Sequence, residues 1–176
     1  MLKNAAPHHV EVATALSSSV PLFMRIYARA CASRTPLDVF HEVHAWEAAP
    51  LPKTAASLVS RGVGGATHLH NVPVVLSGGG EGDFLALLQS KVRPRDFVSL
   101  KVDIDGGPEL EIMRAIADSP KLARLVDEVY FECHFRGFPV DFGWGPYLAE
   151  SSPTAKDCLE LMRKLRHGGV RSHFWV

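Results

Sequence analysis

The chain predicts an α/β fold: a twisted, mostly parallel sheet flanked by helices, in a single domain over residues 1–176. Three observations carry this. Short apolar or β-branched runs alternate along the chain with helical patterns, the order that builds βαβ units and a parallel sheet. An apolar run, Phe97 to Ile104, stops at Asp103, Asp105 and Gly106-Gly107-Pro108 before a helical pattern begins. Open α/β sheets build their sites at such strand ends. Finally, 47% of 176 residues are apolar, enough for one sizeable core.

Taken in order, Val10-Glu-Val12 alternates as a short strand. Pro21 opens an amphipathic helix over Leu22 to Cys31, with proline in its tolerated first turn. Val39 to Trp46 predicts a strand, and Leu51 to Val59 a loop with a short helix. Ala66 to Leu76 predicts a strand or broken strand, and Ser77 to Gly82 is too glycine-rich for a regular element. Asp83 to Ser90 predicts a short helix, Phe97 to Ile104 a strand and Pro108 to Ala117 a helix. Glu128 to Phe135 is the next strand, and Arg136 to Pro146 a loop rich in Gly, Pro and aromatics. Thr154 to Arg166 predicts a helix, capped by Ser152 or Thr154 and ended by Gly168-Gly169, before a terminal strand from Val170 to Val176. No internal repeat and no linker interrupts the series.

Composition excludes several function classes. Nineteen basic and nineteen acidic residues give zero formal net charge, so nothing electrostatic favours nucleic acid or an anionic membrane. No run of about 18 or more uncharged apolar residues is present, so no membrane span is expected. Cys31, Cys133 and Cys158 are odd in number and have no motif spacing. They fit a reducing compartment, argue against a disulfide framework, and agree with a cytoplasmic location. The acid-poor first 34 residues have the composition of an organelle transit peptide, but read better as the first strand and helix.

Nine histidines invite a metal reading. His41 and His44 are three apart on a predicted strand and face opposite sides, and His41-Glu42-Val43-His44 lacks the helical spacing of a zincin. His68 and His70 share a face and can pair. No metal centre is expected, although Asp103 and Asp105 offer an alternative Mg²⁺ site. The Gly78 to Gly82 turn has no following Lys-Ser/Thr and fails as a phosphate-binding P-loop.

The segment Lys101-Val-Asp-Ile-Asp-Gly-Gly-Pro-Glu-Leu-Glu-Ile-Met113 resembles the K-(I/V)-D-(I/V)-E-G-x-E-x-x-(V/I)-L signature of FkbM-type methyltransferases. Asp105 stands where that pattern usually has Glu, and one extra glycine precedes Pro108. Val43-His-Ala-Trp-Glu-Ala-Ala-Pro50 is similar to the family's second strand, and Val129-Tyr-Phe-Glu-Cys-His134 to its fifth. The Gly143-Trp144 loop and the tail Leu165 to Val176 resemble a plant and algal subgroup. The glycine-rich cofactor turn of that family is replaced: Glu11 keeps the acid, while Ala13 and Ser17 fill the glycine positions.

The resemblance implies a Rossmann-like class I methyltransferase fold and S-adenosylmethionine (SAM) as cofactor. Glu11, Ala13, Ser17, Trp46, Glu47 and Asp103 are the implied cofactor contacts, with Glu47 accepting from the ribose hydroxyls and Trp46, which otherwise reads as core or pocket wall, flooring the adenine. Asp103 is the first candidate base, with Glu132 and His134 as second shell or alternative base. Asp105 and Trp144 would face a small-molecule or glycan hydroxyl. Competing readings of the residues give Asp103 or Asp105 a helix-capping role, and pair Glu132 with Lys101 or Arg136. The competing function is a methyltransferase-like binding module that has lost its cofactor turn. An NAD-binding domain is disfavoured by the missing G-x-G-x-x-G.

Overall fold

A computed structural model describes residues 8–10, 12–13, 42–50, 66–104, 108–137, 148 and 152–175. Seven strands form one sheet: β1 (His8–Val10), β2 (Val12–Ala13), β3 (Glu42–Trp46), β4 (Ala66–His70), β5 (Val98–Asp103), β6 (Glu128–Phe131) and β7 (Arg171–Phe174). The order is β4-β3-β1-β5-β6-β7, with β2 also on β5. Every pairing is parallel. The order runs outward from β1 through β3 to β4, and outward from β5 through β6 to β7. The direction therefore reverses between β1 and β5, the topological switch point where open sheets hold ligands.

Four helices lie among the described residues: α1 (Phe84–Lys91), α2 (Glu109–Asp118), α3 (Pro120–Ala123) and α4 (Ala155–His167). Asp83 caps α1, its Oδ1 accepting from the Ala86 N–H at 2.9 Å. Thr154, not Ser152, caps α4, through a reciprocal box with Asp157. Gly169, at φ +94°, turns the chain out of α4, a conformation that resists any side chain. Helix α3 is an addition to the predicted elements. Ser119 accepts from the Leu122 N–H and Pro120 takes the first turn.

Strand alternation and parallel register sort the side chains onto two faces. Register through β1 aligns Glu42 with Val98, so Glu42, His44 and Trp46 share a face with Leu100, Val102, Val129 and Phe131. That face meets the helices in a core that includes Phe84, Leu88, Ile112, Met113, Ile116, Met162 and Leu165. Fully burying each such side chain is worth about 1.5–3 kcal/mol. Trp46 belongs to this core. It is 1% exposed, stacks on His70, meets the Phe84 edge at 88°, and donates its indole N–H to the Glu81 carbonyl.

Three sequence expectations need correction. Cys133 and Cys158 are joined by a disulfide, with Cα atoms 6.3 Å apart. The end of β6 and the first turn of α4 converge in space, which their separation of 25 residues in sequence does not reveal. Ala13 is strand, paired with Asp103, so its backbone is extended and needs no positive φ. Trp46 is core rather than an adenine floor. The Gly78–Gly80 turn does run at positive φ, and Asp83 Oδ2 accepts the Gly79 N–H at 3.1 Å. The Leu22–Cys31 helix, the Leu51–Val59 segment and His41 lie outside the described residues.

Replacing Thr154 by Ala is expected to destabilise the fold by about 1 kcal/mol through loss of the cap. Leu159→Ala, on the exposed side of the same helix, should cost under about 0.5 kcal/mol. Urea denaturation of both variants checks the difference.

Candidate functional site at the carboxyl edge of the sheet

Strand β5 is buried along its whole length. On the face away from the described helices it carries Ser99, Lys101 and Asp103, which alternate with Leu100 and Val102. Lys101 is fully buried. Its ammonium is ion-paired to Asp103 Oδ2 and lies 4.9 Å from the centroid of the Trp175 ring. A buried ammonium survives only with such compensation, and the aromatic face adds a cation–π contact.

Register places Glu132 beside Asp103. The Glu132 N–H donates to the Val102 carbonyl at 3.0 Å, and the two carboxyl groups share a hydrogen bond, which needs a proton on Glu132 when Asp103 is the anion. Asp103 titrates below the usual aspartate value. Burial alone would raise it, but the hydrogen bond with Glu132 and the charge of Lys101 outweigh that cost. Asp103 is therefore a held anion and a weak proton acceptor. It is not a helix cap, since α2 begins at Pro108 without a side-chain cap. Of the two partners expected for Glu132, Arg136 instead donates to the Ser152 carbonyl.

A second pair joins the loop after β6 to the first turn of α2. His134 Nδ1 lies 2.6 Å from Glu109 Oε1, and Glu109 Oε2 accepts from the Ile104 N–H at 3.3 Å. Both side chains are nearly fully buried. Burial raises the Glu109 carboxyl, the His134 hydrogen bond and charge pull it down, and the result stays above the usual glutamate value. The Nδ1–H donated to Glu109 keeps the proton off Nε2, the tautomer a general base requires. Glu109 is not among the residues that the sequence singles out. Its signal was an acid in the first helical turn after the strand, which also has an ordinary dipole explanation.

Glu47 ends β3 on the same edge and is 7% exposed. Its Oε1 accepts from the Ala49 N–H at 2.9 Å, while Asn71 donates to the Glu47 and Ala49 carbonyls at 2.7 Å. The carboxylate is thus fixed at the strand end. Ala13, Asp103, Glu132, His134, Glu109 and Glu47 all lie at the carboxyl ends of parallel strands or just beyond. Glu11, Ser17, Asp105 and Trp144 lie outside the described residues. No helix among the described residues is long and apolar enough to cross a membrane.

The Asp103 shift has a pH signature. Its folded value is depressed, so its contribution is complete above the ordinary value of 3.8 and is lost as pH falls through the folded value. The stability difference between wild type and Asp103→Asn should therefore shrink from about pH 5 to about pH 2. Chemical denaturation across that range checks it. A constant difference would mean that Asp103 is not a charged partner.

No family model matches the chain, and no curated protein or solved structure matches it.

Proposed function

We propose that the chain is a SAM-dependent methyltransferase of the Rossmann-like class I type, acting on a hydroxyl of a small molecule or glycan. The observation that carries the reading is the convergence of fixed carboxylates and a carboxylate-oriented histidine at the carboxyl edge, around the switch point between β1 and β5. Resemblance of the β5–α2, β3 and β6 segments to FkbM-type sequences supports it.

The donor set fits such a cofactor. A carboxylate offers about four lone-pair sites, and the Ala49 N–H takes one of those on Glu47. The remainder suit the two donors of a vicinal diol. SAM would supply an already activated methyl group, so the protein's task is alignment and proton removal.

Within that task the residues divide. Glu47 binds ribose. Lys101 and Glu132 hold Asp103 as a fixed anion that positions rather than deprotonates. His134, oriented by Glu109, takes the acceptor's proton at Nε2, and the imidazolium so formed is stabilised by the adjacent carboxylate. This moves the base from Asp103 to His134.

Calorimetric titration with SAM and its demethylated product tests the reading. Glu47→Gln is expected to weaken binding by about 1.5–3 kcal/mol, the worth of hydrogen bonds to a charged acceptor. On a true acceptor, His134→Gln should lower turnover by about a hundredfold with cofactor affinity unchanged. Absence of binding by the wild type would reject the enzyme and leave a binding module of the same architecture.

A further inference from the structure

A second polar cluster lies at the other side of the sheet, across β3 and β4. Register pairs His44 with His68 and Trp46 with His70. Glu42, His44, His68 and His70 therefore share one face. Glu42 Oε1 lies 2.9 Å from His44 Nε2 and 3.3 Å from His68 Nε2. One donor atom from each of these three residues lies within 4.8 Å of the others. Donors on a shared tetrahedral zinc ion are separated by about 3.3 Å, given ligand bonds of about 2.0–2.2 Å.

With both rings neutral, the contacts behind this triad outnumber the ring N–H groups by one. His44 Nδ1 lies 3.0 Å from His70 Nε2, and His70 Nδ1 lies 3.2 Å from Glu81 Oε1. The chain Glu42–His44–His70–Glu81 thus has three contacts and an acceptor-only carboxylate at each end. Each neutral imidazole brings one N–H. Two neutral rings satisfy two contacts, and the third is met either by a second proton on one ring or by a metal cation. If His70 donates to Glu81 and His44 Nδ1–H donates to His70, the lone pair of His44 Nε2 faces Glu42. A metal cation placed there satisfies both. The same arrangement gives the ligand His44 the outer-shell acceptor that metal-bound histidines characteristically have.

We propose that Glu42, His44 and His68 bind a divalent ion of the zinc class, with His70 and Glu81 as its outer shell and water completing the coordination. Two imidazoles and a carboxylate suit Zn²⁺ over Mg²⁺ or Ca²⁺. The ion would tie edge strand β4 to β3. His68 is 44% exposed in its side chain and can turn out of its stack on His44 to close on the ion. Lys91, whose Nζ lies 3.6 Å from Glu42 Oε1, is 54% exposed and is the competing cation. It must leave when metal binds, so removing it should help the metal.

The test uses the whole chain, stripped with chelator and titrated with Zn²⁺ by calorimetry, and with Co²⁺ followed by visible absorption. A single saturable site with tetrahedral cobalt bands is expected. His68→Ala should weaken Zn²⁺ binding by about a hundredfold, and His70→Ala by about tenfold. Lys91→Ala should tighten it by about threefold. His173→Ala, removing an exposed histidine paired with Glu128 on another strand, should leave it unchanged. Thermal unfolding of His68→Ala without metal shows whether the variant is folded, and its exposure makes that the expected result. No saturable wild-type binding, or His68→Ala binding as tightly as wild type, overturns the proposal. A thiolate-to-cobalt charge-transfer band also overturns it, since it places the ion on cysteine.

Discussion

The buried pair of Lys101 and Asp103 is the constraint around which the carboxyl edge is organised. Strand β5 pairs with β1 and β2 on one side and β6 on the other, so it sits at the centre of the sheet and is closed to water along its length. Placing an ammonium there carries a desolvation penalty of several kcal/mol. The chain meets it with three partners from separate parts of the sequence: Asp103 two residues on, Glu132 at the end of β6 acting through Asp103, and Trp175 just after β7. Glu132 and Trp175 take these places only when β6 and β7 are in register. The Trp175 N–H, bound to the Phe131 carbonyl at 2.9 Å, fixes the last of them.

The electrostatics of the edge follow. Asp103 is held as an anion beside Lys101 and Glu132, while the neighbouring pair of His134 and Glu109 is joined by its own hydrogen bond. Environment rather than residue type divides the work among these acids. Asp103, beside a cation, is depressed, whereas Glu109, nearly fully buried and in the field of Asp103, is raised. Environments that push titrating groups apart in this way are how acid and base roles are set within one site.

Local physics made much of the fold legible in the sequence. The apolar run into Asp103 and the proline-started helix after it describe β5 and α2. Ser152 or Thr154 marks the start of α4, between which the structure chooses Thr154, and Gly168-Gly169 marks its end. What escaped depends on register and packing. Lys101 and Asp103 are two apart on one face, yet nothing local shows that the site is dry enough to force their pairing. Cys133 and Cys158 meet only because β6 and α4 converge. Sequence spacing sets His44 beside His41, whereas the parallel ladder places it against His68. Ala13 stands at a glycine position of the resembled family, yet its pairing with Asp103 shows an extended backbone that any residue adopts.

A double-mutant cycle on Lys101→Met and Asp103→Asn, followed by urea denaturation at neutral pH, tests the central pair most directly. Each single change should cost about 3–5 kcal/mol, because it strands a buried polar or charged partner. The double variant should cost less than the sum by about 2 kcal/mol. Additivity within about 0.5 kcal/mol would show that the two side chains act independently, and would contradict the organisation of the edge around them.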